Sequence, residues 1–215
     1  MTLGTVRERI ATAVERSGRR PGDVRLVAVT KERTADEIRC LYEQGQRDFG
    51  ENRAQELQAK VPALPADIRW HFIGPLQRNK VRVVRPAVVL LHSLDRVTLA
   101  EAWIKGPGLP PPALLQVNIG REPQKHGVMP EEAVGTAEQM LAMGVRVAGV
   151  MAIPPVVETA ELARPYFVEL RRIRDRVAAL EPAAGELSMG MTDDFEVAVE
   201  EGATLIRVGR AIFAP

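Results

Sequence analysis

The chain has 215 residues, 46% of them hydrophobic and 27% charged, with 29 basic against 28 acidic side chains and a net charge of +1. That length suits one full α/β domain and is short for two. Balanced charge without a long one-sign block leaves no footprint for nucleic acid or an anionic membrane, and no apolar run approaches membrane-spanning length.

The opening stretch has no apolar core of signal-peptide length and carries Arg7, Glu8 and Arg9 early. Val6, Ile10, Ala13 and Val14 predict an amphipathic helix ending near Gly18. Val24 to Val29 reads as a strand. Thr34, with Glu37 three residues on, forms a capping box for a helix lined by Ile38, Leu41 and Tyr42 and ended by Gly45. The single cysteine, Cys40, falls in this helix. It reads as buried filler, and its solitude fits a reducing cytoplasm.

A short strand at Asp48 and Phe49 follows, then a polar helix from about Glu51 past Leu57. Trp70 to Ile73, Val88 to His92 and Ala113 to Ile119 read as further strands. Asp95 suits the cap of a helix holding Leu99, Ala102 and Trp103. Pro130 to Glu132 open a helix with Val134, Ala137 and Leu141 on one face and Gly144 at its end. Val145 to Ala152 is the next strand. Pro165 starts a long helix with the stripe Tyr166, Leu170, Ile173 and Val177. Leu187 to Met189 is a strand, Thr192 with Asp193 and Asp194 a helix start, and Thr204 to Val208 the last strand. Helix, glycine, strand recurs at Gly45, Gly144 and Gly202. About eight strands alternating with helices predict a single (β/α)8 TIM barrel over 1–215, in preference to an open doubly wound sheet, because no G-x-G-x-x-G follows the first strand.

Alternation places Val27, Val29 and Lys31 on one face, so an inward face puts Lys31 at the C-terminal rim, where barrels carry their chemistry. There burial would favour a neutral, nucleophilic amine, although Lys31 alone reads better as a solvated loop lysine. Small residues at Ser188 and Gly190 let backbone N–H groups converge on an anion, and Gly209 allows a second close approach before Arg210. Arg207 lies inside an apolar run, so it needs a partner, a carboxylate or a ligand atom. The three histidines have no metal-ligand spacing, and no metal is expected.

These residues carry a resemblance. VAVTK (27–31), FGEN with QE (49–56), WHFIGPLQRNK (70–80), HSLD (92–95), QVNIG (116–120), KHGV (125–128), GVMAIP (149–154), LSMGMTDD (187–194) and RVGRAIF (207–213) together resemble the pyridoxal 5′-phosphate homeostasis proteins, relatives of the alanine racemase N-terminal barrel. The resemblance implies pyridoxal phosphate held as an imine on Lys31, with Asn52 beside it. Ser188, Gly190 and the backbone of Gly209 and Arg210 would hold the phosphate, and Arg207 would face the pyridine nitrogen. His71, Asn79 and Met151 would lie at or near the pocket. It further implies a cytoplasmic monomer or weak dimer that acts in vitamin B6 balance without a reaction of its own, with pyridoxal-phosphate-dependent apoenzymes as recipients. An amino-acid racemase-like enzyme and a cofactor-free imine-forming aldolase remain the other readings. The sequence departs from the family where Arg210 replaces a common threonine and Ala214 a common glycine, and the closing helix should be very short.

Overall fold

The protein is described by a computed structural model covering residues 1–213. The elements run α1 (Leu3–Arg16), β1 (Arg25–Val29), α2 (Ala35–Glu43), β2 (Asp48–Glu51), α3 (Ala54–Lys60), β3 (Arg69–Phe72), α4 (Val81–Val84), β4 (Leu90–Leu94), α5 (Val97–Ile104), β5 (Ala113–Val117), α6 (Ala133–Ala142), β6 (Val147–Ala152), α7 (Arg164–Leu180), β7 (Glu186–Ser188), α8 (Phe195–Glu200), β8 (Leu205–Val208) and α9 (Arg210–Phe213). The strands close in chain order into one parallel eight-stranded barrel, the predicted architecture. β8 meets β1 in the register Arg25 to Leu205 through Ala28 to Val208.

Period-2 alternation sorts each strand between two cores. Val27, Leu90, Leu114, Met151 and Leu205 fill the barrel interior. The opposite parity, including Phe49, Trp70, Phe72, Leu91, Leu115 and Leu187, joins the helices in the outer core. Both faces of every strand are thus covered, as parallel sheets require. Among the described residues, no helix is long and apolar enough to cross a membrane.

Gly45, Gly144 and Gly202 end their helices with positive φ, as the repeat predicts. Gly149 has a different task. A register shift between β5 and β6 brings its backbone, at φ +147°, against β7, and a Cβ there would sit 1.9 Å from the Glu186 carbonyl oxygen.

Several local expectations need correction. The helix after β2 starts at Ala54, because Glu51 still pairs within the sheet. Arg96, not Asp95, occupies the cap of α5; Asp95 instead pairs with Arg96 and, at 3.3 Å, with His126. The buried face of α6 is Ala133, Ala137 and Met140, a rotation away from Val134 and Leu141. Phe167 takes the stripe position on α7 expected for Tyr166, which packs only partly buried at its edge. α8 starts at the expected place, with Asp194 at its cap position. Cys40 is exposed, because α2 turns Ile38 and Leu41 inward and leaves it on the solvent side. The last helix among the described residues is α9, and Ala214 lies outside them.

Two substitutions separate backbone accommodation from ordinary capping. Thr34→Ala removes the reciprocal cap of α2 and should reduce stability by about 1 kcal/mol. Gly149→Ala adds a strained φ to a backbone clash and should cost more than roughly 3 kcal/mol. Urea unfolding of both variants checks the order.

Candidate functional site

The C-terminal rim gathers most of the predicted residues. β1 ends at Val29, and Thr30 then turns back to β2, its N–H on the Gly50 carbonyl at 2.9 Å and its hydroxyl on Glu51 Oε1 at 2.5 Å. This clasp lifts the chain out of the barrel before Lys31, which is exposed at the rim. The expectation of an amine shielded from water therefore fails for Lys31. Lys60 of α3 is the buried lysine here, donating to Thr30 O (2.8 Å), Glu51 Oε1 (2.6 Å) and Glu56 Oε2 (3.0 Å). The end of β1, two residues before Lys31, lies against the β8 turn, since a Cβ on Gly209 would sit 3.2 Å from Val29 Cβ.

Asn52 follows β2 on the same rim, and its Oδ1 is buried without a hydrogen-bond partner. It helps line a hollow of about 540 Å³ with Phe72, Leu76, Asp95, Arg96 and His126. A hollow of about 660 Å³ lies at the opposite end, between α1 and the starts of β1 to β3, away from Lys31 and Arg207.

β7 and β8 supply the other side. Arg207 is 4% exposed and donates from Nη1 to Ser188 Oγ at 2.5 Å and from Nη2 to the Ala152 carbonyl at 2.9 Å. No Asp or Glu carboxylate among the described residues lies within 4.0 Å of its guanidinium. Burial pushes its pKa down to about 10, opposed by the more distant charge of Asp194, so it remains a cation at neutral pH. Gly190 has φ +90°, and a Cβ there would fall 2.6 Å from Ala198 Cβ, so glycine is what lets α8 close over this turn. The Met191 N–H is taken by Asp194 Oδ1 at 2.6 Å. Arg210 is exposed as the first residue of α9.

Three residues sit away from the open rim. Met151 is fully buried in the interior apolar cluster. Asn79 lies exposed on the short turn before α4, outside the barrel. His71 is fully buried, and both ring nitrogens are engaged: Nδ1 with His92 Nε2 at 2.9 Å and Nε2 with Asp48 Oδ1 at 3.0 Å. His92 completes the chain through Nδ1 to Ser188 Oγ at 2.9 Å. Ser188 is thus fully buried one layer below Arg207, its hydroxyl shared between Arg207 and His92. Sequence reasoning missed the part played by His92 and Asp48. The available signal was parity, because His71 and His92 fall on inward positions of neighbouring strands.

Burial lowers the pKa of His71 despite the Asp48 carboxylate, and lowers that of His92 well below the ordinary value, helped by the charges of His71 and Arg207. Burial also works on Asp48, but hydrogen bonds from His71 and Arg69 outweigh it and bring its pKa to about 2. The unfolded chain therefore takes up imidazole protons below about pH 6.5 that the folded barrel refuses, so stability falls as pH drops. The Asp48 contribution is present above about pH 4 and disappears as pH falls toward its folded value. Urea unfolding should give lower stability at about pH 5.5 than at about pH 7.5, and Asp48→Asn should flatten the limb below about pH 4.

Comparison with known proteins places this geometry in context. The sequence matches the family "Alanine racemase, N-terminal domain" over residues 1–215. It is 44% identical over 217 residues to the pyridoxal phosphate homeostasis protein of Aquifex aeolicus, covering 98% of this chain and 95% of that one. It is 42% identical over 218 residues to the protein of that name from Deinococcus radiodurans, covering 100% of both. PipY of Synechococcus elongatus, solved with pyridoxal phosphate bound, superposes with a TM-score of 0.79 at 36% identity, over 97% of this chain and 100% of PipY. A lysine/ornithine decarboxylase from Vibrio vulnificus shares the fold alone, with a TM-score of 0.72 at 16% identity over 96% of this chain and 62% of the enzyme. The chain therefore belongs to the alanine racemase N-terminal domain family, among the pyridoxal phosphate homeostasis proteins.

Proposed function

We propose that this barrel binds pyridoxal 5′-phosphate at its C-terminal rim and acts in vitamin B6 homeostasis as a holder of the cofactor rather than as an enzyme. The observation that carries this reading is Arg207, a buried cation with no carboxylate of the described residues against it. Such a charge calls for an electron-rich partner, and Arg207 stands in register with Val27 on the strand that leads to Lys31. The orphaned Asn52 Oδ1 and the two glycine turns also fit a polar, phosphate-bearing ligand. The names of the relatives and the cofactor bound to PipY point the same way.

In this reading Lys31 supplies the amine for reversible covalent attachment. Asn52 orients the ring, and the backbone of Gly190, Gly209 and Arg210 receives the phosphate. Ser188 acts through Arg207, while His71 and Met151 shape the floor. Bound pyridoxal phosphate supplies an electrophilic aldehyde and, when its ring nitrogen is protonated, an electron sink. Arg207 has only donors to offer, so it favours the unprotonated ring and a weak sink. That is the physical argument for a carrier. Among the described residues, neither tyrosine is poised over the rim: Tyr42 donates to Asp67 at 2.6 Å on the outer layer, and Tyr166 packs on the outer core. We place the protein in the cytoplasm as one binding unit, monomeric or weakly dimeric, with pyridoxal-phosphate-dependent apoenzymes as recipients.

Mixing the purified chain with pyridoxal phosphate should produce a visible absorption band that Lys31→Ala abolishes. Amino-acid racemisation by the loaded protein should not exceed that of free cofactor. An unchanged band in Lys31→Ala would remove this assignment, and turnover well above free cofactor would favour a racemase-like enzyme.

A further inference from the structure

Arg207, Ser188, His92, His71 and Asp48 touch in series across the barrel interior. The direction of every bond follows from the Asp48 carboxylate together with the neutrality of both rings. A guanidinium only donates, so Ser188 Oγ accepts from Arg207; a hydroxyl can accept twice, and it is the bare Nδ1 of His92, set from the Asp48 end, that takes the Ser188 O–H at 2.9 Å. His92 then carries its proton on Nε2 and donates to His71 Nδ1 at 2.9 Å. His71 carries its proton on Nε2 and donates to Asp48 Oδ1 at 3.0 Å. The Asp48 carboxylate, which only accepts, also receives Arg69 Nε at 2.9 Å. No member is left with two donors or two acceptors facing each other. Reversing the series would leave a bare His71 Nε2 facing the Asp48 carboxylate, two acceptors in contact.

The charged groups facing this series are Arg25, Arg69 and Glu186 at the N-terminal end and Asp194 near Arg207. A network serving stability alone needs only satisfied atoms, and an apolar filling would do as well. This one links the start of β2 to the residue at the candidate cofactor site, with both imidazoles kept neutral by burial.

We propose that Asp48, His71, His92 and Ser188 are positioning residues for Arg207: a one-way hydrogen-bond relay that fixes its guanidinium toward the rim and couples the far end of the barrel to the bound pyridoxal phosphate. The proposal deepens the reading above and rests on it for the identity of the ligand. Asp48 lies away from the rim, so a change there reaches the ligand only through the relay.

Two measurements test it on the full chain. With histidine ring nitrogens labelled with 15N, long-range 1H–15N correlation at about pH 7, assigned with His71→Gln and His92→Gln, should show both rings neutral with the proton on Nε2. A proton on Nδ1 of either ring, or a charged ring, overturns the relay. Asp48→Asn, confirmed as folded by circular dichroism, should release pyridoxal phosphate at least roughly threefold faster and shift the absorption maximum of the bound form. A folded Asp48→Asn with wild-type release and spectrum also overturns it. If that variant does not fold, the tautomers decide alone. Correct tautomers in a protein that takes up no pyridoxal phosphate would sink the ligand assignment, whereas wrong tautomers in a protein that binds it would sink only the relay.

Discussion

One uncompensated charge organises the working end of this barrel. Arg207 is drawn into the interior by the parity of β8, where water cannot solvate it and, among the described residues, no carboxylate within ion-pairing distance neutralises it. Neutral partners hold it instead, the Ser188 hydroxyl and the Ala152 carbonyl. A cation kept in this way retains an attraction for electron-rich atoms at the rim. The polar chain behind it, through Ser188, His92 and His71, ends at Asp48, whose carboxylate only accepts and so sets the direction of the neutral rings between.

The closed barrel makes this placement possible. Strands in chain order bring β7, β8 and β1 side by side, so Gly190, Arg207, Gly209 and Lys31 converge although they are far apart in sequence. The two lysines of the β1–α3 corner divide the work. Lys60 is buried and ties the loop to Glu51 and Glu56, and Lys31 is left exposed and free of such ties. Lys31 therefore owes its proposed reactivity to its position beside the rim and to the field of the site, not to burial in the unliganded barrel.

The fold was largely legible because a parallel barrel writes its period twice, once in the strand runs and once in the glycines that end its helices. Faces were less legible. Val134 and Leu141 fit a helical stripe as well as Ala133 and Met140, and only the neighbours of α6 decide between them. Asp95 fits a cap by residue type, but Arg96 and His126 compete for its carboxylate. At the site, the rim residues followed from strand ends and small residues. The interior polar chain did not, because a histidine in an apolar strand looks the same whether it meets a ligand or another histidine. Only the distances among His71, His92, Asp48 and Ser188 separate these cases.

The central claim is that the rim holds the aldehyde of pyridoxal phosphate at one particular amine. The chain has five lysines, Lys31, Lys60, Lys80, Lys105 and Lys125. Borohydride reduction of the protein mixed with one equivalent of pyridoxal phosphate, followed by peptide mass mapping, reports which of them was joined to it. The label is expected on the peptide containing Lys31, with little elsewhere. Label spread over the other four, or concentrated on one of them, would contradict it.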